Sequence, residues 1–421
     1  MATTKVKKTA KQKWGIFLKV ILGIVIVIAI LAAVIAAMNI ASVKSSNKLI
    51  ASISAIEYEN QLKPEIDEKD GYYTFTTDND LKVVQLSDIH IGAGFMSTKK
   101  DAMAINAVEA MVSAEKPDLV IVTGDIGYPV PFQAGTFNNK NAAKIFANLM
   151  EKMEVYWCLT YGNHDTEAYS YFDRSDISKV YGDRDKYPHC LFQEGPDDVD
   201  GYGNYVIKVK DTAGKITQAF FMIDSHSYTD GDYFGALWKY DCIHENQIQW
   251  YENQILSLTE QNNGETPKSL MFCHIPLIEL QDAYNEYKDN GFKDTENVQL
   301  VDGLIGETGK VVYSSEHNNG MFDKMLELGS TQGAFFGHDH TNSFSMMYKG
   351  IQLGYTYTID YLAYMDIKSY GLQRGCTVFT VHPDGTYDRQ LENYYQDKYE
   401  TINEKEKVKM VDYNTDRAKE E

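Results

Sequence analysis

Five short stretches hold the residues most able to do chemistry: Ser87-Asp88-Ile89-His90, Thr123-Gly124-Asp125, Tyr161-Gly162-Asn163-His164-Asp165, His274-Ile275-Pro276 and Gly337-His338-Asp339-His340. Imidazole nitrogens mixed with carboxylate and amide oxygens suit Fe, Mn or Zn, whereas calcium takes oxygen ligands. Singly, each stretch says little. A D-x-H pair is common on surfaces, a Gly-Asp dipeptide usually marks a turn, and a lone histidine such as His274 is more often a hydrogen-bonded core residue than a ligand. Their weight comes from what precedes them, because each follows directly on a short apolar run.

Those runs read as strands over residues 81–86, 119–122, 155–159, 270–273 and 334–336, with further strands at 219–223 and 377–381. Helical patterns near residues 101–114 and 141–153 separate the first three, which gives an α/β rhythm. In such folds the loops leaving the strands gather ligands, so five polar endings are expected to converge on one side of the molecule. Glycine before Asp125, Asn163 and His338 lets the backbone turn off a strand and approach a site closely.

In this order the five stretches resemble the complete motif set of the calcineurin-like metallophosphoesterases. Gln247-x-x-Trp250-Tyr251, Cys273-His274-Ile275-Pro276-Leu277, Asn319-Gly320-Met321-Phe322 and Arg374-Gly375-x-x-Val378-Phe379 are similar to the branch related to purple acid phosphatases. The resemblance runs from about residue 81 to 383. It implies an α/β fold of four layers, an α/β/β/α sandwich, with two divalent or trivalent metal ions (Fe, Mn or Zn) at the strand ends. It further implies that Asp88, His90 and His340 hold the first ion, that Asn163, His274 and His338 hold the second, and that Asp125 bridges both. The implied reaction is hydrolysis of a phosphate ester by metal-held hydroxide, with His164 protonating the departing alcohol.

One position departs from the family pattern. Many members carry a second Asp three residues after the Asp of Gly-Asp, where this chain has Tyr128. Purple acid phosphatases place an iron-binding tyrosine there but lack the histidine of D-x-H. This chain has His90, so Tyr128 is expected to line the site or support a ligand rather than coordinate. Asp165 and His226, the latter in Ile223-Asp224-Ser225-His226, are further candidates for supporting ligands or touching substrate. Tyr161, Tyr169 and Tyr171 read as packing residues ahead of a base or sugar pocket. A phosphomonoester is the leading substrate; a phosphodiesterase or nucleotidase would use the same metals. A catalytically silent ectodomain that binds a partner should have lost ligands, and none of the seven is missing.

The remaining chain sets topology. Lys5, Lys7, Lys8, Lys11, Lys13 and Lys19 supply every charge before Met38. Residues 16–38 are long and apolar enough to span a bilayer, and the lysine flank favours a cytoplasmic N-terminus with everything beyond it extracellular. A cleaved signal would carry a shorter apolar region of about 7–15 residues, so an uncleaved single-pass anchor in the cell membrane is expected. The expected division is a cytoplasmic lysine-rich segment (1–15), a transmembrane helix (16–38), a juxtamembrane linker (39–71), a catalytic domain (72–395) and a charged, solvated tail (396–421). Within the linker a short amphipathic helix is expected to hold the body off the membrane. The formal charge of −20 disfavours nucleic acid as a partner. Five cysteines without a C-x-x-C pair indicate neither a disulfide framework nor a zinc ribbon.

Overall fold

Strands buried on both faces read as continuous apolar runs, because a parallel sheet is covered on each side. The runs ahead of the polar stretches behave this way: all five residues of Leu119–Thr123 and all four of Trp157–Thr160 are buried. A computed structural model describes residues 8–232, 235–307, 310–364, 367, 374–401, 405–406 and 408. Its elements are α1 (Ala10–Ala51), β1 (Glu65–Ile66), β2 (Tyr73–Thr76), β3 (Leu81–Leu86), α2 (Thr98–Glu115), β4 (Leu119–Thr123), α3 (Asn139–Met153), β5 (Trp157–Thr160), α4 (Arg174–Tyr181), β6 (Tyr205–Lys210) and β7 (Ile216–Met222). They continue with α5 (Glu245–Gln261), β8 (Lys268–Phe272), α6 (Glu279–Asp289), β9 (Val298–Asp302), α7 (Met321–Leu328), β10 (Thr331–Phe336), β11 (Ser345–Tyr348), β12 (Ile351–Tyr355), β13 (Gly375–Val381) and β14 (Tyr387–Asn393).

Two sheets form, one of five strands in the order β14-β13-β3-β4-β5 and one of nine in the order β1-β2-β6-β7-β8-β10-β12-β11-β9. Parallel pairing joins β3, β4 and β5 in the first and β7, β8, β10 and β12 in the second, so each sheet aims several carboxyl ends the same way. Aromatic rings lock the sheets face to face: Phe379 of β13 sits 4.7 Å from Phe335 and 5.9 Å from Phe272, ring centre to ring centre. Helices α2 and α3 cover the outer face of the smaller sheet, where Phe146 packs edge-on to Trp157 at 5.2 Å. Helix α5 covers the larger sheet, with Tyr251 5.0 Å from Phe221. Each such ring contributes roughly 1.5–3 kcal/mol through burial. The fold is therefore the expected mixed α/β sandwich of two sheets between helices, preceded by a long apolar helix.

Two expectations need correction. The 39–71 segment is no spacer, because α1 runs unbroken from Ala10 through Ala51 and buries Ser42, Ser46 and Ile50 against the body. The small serines allow close approach while Ile50 joins the core, and the Ser42 hydroxyl lies 2.8 Å from the carbonyl of Gly94 and 2.6 Å from the Thr98 hydroxyl. The segment 396–421 also begins docked rather than solvated. Tyr399 is buried and donates to Glu115, and Arg374 donates to Glu406 at 3.1 Å. Residues 1–7 and most of the tail, including 409–421, lie outside the described residues.

Candidate metal centre

The parallel strands deliver their polar endings to the seam between the sheets. β3 leads to Asp88 and His90, β4 to Asp125, and β5 to Asn163 and His164; from the other sheet β8 leads to His274, and β10 to His338 and His340. Backbone bonds sew the endings together. Asp88 N–H donates to Gly124 O at 3.1 Å, His90 N–H to Asp125 O at 3.0 Å and Gly337 N–H to His274 O at 3.2 Å. Six of the seven predicted donors are buried, and His338 is half-buried.

Asp125 stands at the middle. Its Oδ2 lies 3.3 Å from His90 Nε2 and 3.3 Å from His274 Nε2. On the His90 side, Asp88 Oδ1 is 3.3 Å from His340 Nε2 and 3.8 Å from His90 Nε2. Ligand atoms of Asp88, His90, Asp125 and His340 all fall within 4.8 Å of one another. On the His274 side, Asn163 Oδ1 and His338 Nδ1 lie 3.1 and 3.3 Å from His274 Nε2. The structure thus brings all seven predicted donors into one cluster.

Holding them there strains the backbone. Asp88, His90, Asp125 and His338 have φ of 52°, 54°, 53° and 78°, the left-handed region that side chains with a Cβ rarely adopt. Such conformations persist where the surroundings over-determine them, and they cluster at functional sites. Close approach explains the glycines: a Cβ on Gly162 would stand 2.1 Å from Asp125 Oδ1, and one on Gly337 would stand 1.9 Å from the Ser87 hydroxyl.

Behind the donors lie groups that fix their orientation. Thr123 O is 2.8 Å from His274 Nδ1, which places the proton on Nδ1 and turns the Nε2 lone pair inward. Asp360 faces two imidazoles, with Oδ2 3.1 Å from His340 Nδ1 and Oδ1 3.6 Å from His90 Nδ1. Burial works against charge on His90, yet Asp360, Asp125 and Asp88 push its pKa up to about 9. Burial likewise opposes charge on His274, where Asp125 carries the value up to about 9. The carboxylate cluster therefore demands positive charge, which either protons or cations can satisfy.

Asp165 and His226 have different surroundings from the cluster. The Asp165 carboxylate accepts the backbone N–H groups of Asp125, Gly127 and Gly162 at 3.0, 2.9 and 2.9 Å, tying two ligand loops together. Burial and the neighbouring Asp125 push its pKa up to about 6. His226 stacks on His244 at 4.1 Å and lies 2.8 Å from Gln247 Oε1, in an adjoining cavity rather than among the metal donors. Arg174 binds Asp224 and the carbonyls of Gly162 and His226, so it straps that cavity to the Asn163 loop.

His164 has a partner that the sequence reading did not identify. Its Nδ1 lies 2.6 Å from Glu167 Oε1, and Tyr228 links the same Glu167 to the Nδ2 of Asn163 at 3.3 and 2.9 Å. Tyr128 stacks on His90 at 4.7 Å with rings 12° from parallel, while its hydroxyl donates to Gln133 at 2.9 Å. Above the donors a cavity of about 240 Å³ is walled by Tyr128, Tyr228, Trp238, Tyr240, Tyr313 and Tyr364. Tyr161 is core, and Tyr169 and Tyr171 pack on Phe137.

The family model of calcineurin-like phosphoesterases matches residues 81–342, more than half of the chain. The chain belongs to the calcineurin-like phosphoesterase family. Among similar proteins, Probable inactive purple acid phosphatase 14 of Arabidopsis thaliana is 29% identical over 317 residues, covering 69% of this chain and 73% of that protein. Probable inactive purple acid phosphatase 29 of the same plant is 26% identical over 315 residues, covering 69% and 74%. Phosphatase DCR2 of Saccharomyces cerevisiae is 28% identical over 293 residues, covering 64% of this chain and 46% of that protein. These relatives support the branch related to purple acid phosphatases. Membership of the phosphoesterase family indicates a hydrolase of phosphate esters in general, and the Asp88, His90, Asp125 and His340 cluster is a candidate metal site for such chemistry.

Proposed function

We propose that this chain is a membrane-anchored phosphoesterase that uses two metal ions, from among Fe, Mn and Zn, to hydrolyse phosphomonoesters. One observation carries the reading: a single carboxylate, Asp125, stands 3.3 Å from an imidazole of each donor set. A carboxylate shared in this way suits two adjacent cations, and the crowding of His274 Nε2 against His338 Nδ1 and Asp125 Oδ2 is relieved when a cation takes those lone pairs. Asp88, His90 and His340 would hold one ion, Asn163, His274 and His338 the other, with Asp125 between them. Ions held by these residues would supply charge that neutralises a phosphate and acidifies a water.

The chain's own residues supply the rest. His164 borders the cavity, and with Nδ1 paired to Glu167 its Nε2 is left to give a proton to the departing alkoxide. Anchoring rests on α1, whose most apolar 18-residue window has mean hydropathy 3.3 and is wholly exposed, and on the lysine flank that favours a cytoplasmic start and an extracellular catalytic domain. The unbroken run of α1 into the docked region around Ser42 supports a retained anchor over a cleaved signal.

The competing reading is a silent ectodomain, suggested by the word "inactive" in the names of the plant relatives. Full-length protein stripped of metal, reloaded with Mn, Fe or Zn and assayed against chromogenic monoesters and diesters separates the two. The expected outcome is metal-dependent hydrolysis with monoesters preferred. Two bound ions without hydrolysis of either ester would establish the silent domain, and a preference for diesters would establish the phosphodiesterase.

A further inference from the structure

Helix α1 meets the catalytic body at the end of the small sheet that carries the metal donors. Five residues after His90 in sequence, the Phe95 N–H donates to Asn39 Oδ1 at 2.9 Å, and Asn39 Nδ2 donates to Gly135 O at 3.1 Å. The contact reaches beyond Asn39 into the apolar part of the helix. Ala32, Ile35 and Ala36 form one wall of a groove whose opposite wall includes Phe95, Met96, Pro131, Phe137 and Tyr171. Among the described residues, none that lines this groove is charged, in a chain whose formal charge is −20.

The tips of these loops are apolar and bare. Phe132 is 88% exposed, Tyr171 67% and Met96 52%, and all three lie in or beside the groove. In water such a cluster is costly, and contiguous exposed apolar surface marks a contact with a partner or a membrane. Position decides between them. Residues 16–38 rise about 35 Å at 1.5 Å per residue, slightly more than the roughly 30 Å of a hydrocarbon core. Ala32 lies roughly 9 Å inside the outer limit of that span. Loops that face Ala32 and Ala36 therefore stand at the depth where headgroups meet acyl chains, the layer that aromatic side chains favour.

We propose that Met96, Phe132, Phe137 and Tyr171 form a collar around the anchor that inserts into the outer face of the lipid bilayer. This inference rests on the membrane-anchored reading of α1. The collar seats the catalytic domain directly on the leaflet, at the end of the sheet where Asp88, His90 and Asp125 are held. Its partner is the headgroup and upper acyl region of the lipids, and the collar acts with α1 as a second attachment.

Depth measurement tests this without reference to catalysis. Full-length protein is placed in phosphatidylcholine nanodiscs in a Cys242→Ser background, since the other four cysteines are buried and inert to labelling. A spin label is attached at Phe132→Cys, at Val27→Cys within the span, or at Asp384→Cys on an exposed turn of the far loop between β13 and β14. Accessibility to oxygen is compared with accessibility to a water-soluble nickel chelate. The expected result is a deep label at Val27, a label at Phe132 within about 5–10 Å of the headgroup boundary, and an aqueous label at Asp384. A label at Phe132 as aqueous as that at Asp384, with Val27 deep, overturns the collar and leaves the anchor standing. An aqueous label at Val27 overturns the anchor and the collar together, while the metal-dependent assay remains a separate result.

Discussion

The two donor sets of the candidate metal centre meet at Asp125 but are otherwise unlike. Asp88, His90 and His340 bring a second full carboxylate, and Asp360 stands behind both imidazoles with its own charge. Asn163, His274 and His338 bring no carboxylate of their own; behind them are the neutral Thr123 carbonyl and the Tyr228 hydroxyl. The first half concentrates negative charge in a buried place, where each charge acts through a low dielectric and attracts a cation strongly. The second offers neutral donors and is half-open at His338. The difference predicts that a cation would be held more tightly on the Asp88 side than on the Asn163 side.

Removing the shared carboxylate abolishes the comparison altogether and should have the largest effect. Asp125→Asn keeps shape but leaves the Asp88 half with one carboxylate donor and the Asn163 half with none, so activity is expected to fall by about 10³-fold or more, corresponding to several kcal/mol of lost charge stabilisation. Elemental analysis should show fewer than two ions bound. Full activity with two ions retained would mean that Asp125 does not bridge.

His164→Ala sharpens the comparison by leaving both halves intact. Metal content should be unchanged while kcat on an ester with a poor leaving group falls by roughly 10²–10⁴-fold, and by much less on a nitrophenyl ester whose leaving group needs no proton. Equal turnover by variant and parent on the poor leaving group would remove His164 from the reaction.

Asp360→Asn separates the halves. Groups that orient and charge a ligand from behind are typically worth 10–100-fold in metal affinity. The loss should fall on the tighter ion alone, seen as one weakened step in a two-step metal titration. If both steps weaken equally, the asymmetry of the two halves is only apparent.

Asp360 also shows where sequence reading stops. The strands that end in Asp88, Asp125, Asn163, His274 and His338 could be read because buried parallel strands are uniformly apolar and each ends in a recognisable polar stretch. Asp360 follows β12, a strand of Ile-Gln-Leu-Gly-Tyr that forms a hairpin with β11 across Lys349-Gly350, and neither half of that hairpin is apolar enough to stand out. The recoverable signal was Gly350 between two short runs, since glycine suits the positive φ of 89° that this tight turn needs. Glu167 was hidden differently. It lies three residues past His164 in a loop without periodicity, and its pairing with Nδ1 depends on how that loop closes. The docking of α1 was obscured because Asn39 and Ser42 look like linker residues until the loops leading into α2 and α3 present the carbonyls of Gly135 and Gly94 that they bind.

The smallest expected effect concerns Tyr128, which belongs to the Asp88 half through its stack on His90. Direct coordination and simple support predict opposite results for Tyr128→Phe. The ring is nearly parallel to the imidazole and the hydroxyl is engaged by Gln133, whose amide in turn donates to the carbonyls of Leu362 and Ala363. A phenyl ring keeps the stack, so the variant should lose about 1 kcal/mol of stability from one partly buried hydrogen bond and retain activity within a few-fold. Iron-loaded parent protein should then lack the visible charge-transfer band of an iron-bound tyrosinate. An intense band in the parent that disappears in Tyr128→Phe would make the hydroxyl a ligand. In that case it would have to leave Gln133, the 128–133 loop would rearrange on metal loading, and the Asp88 half would hold its ion by one more anionic donor than its present geometry provides.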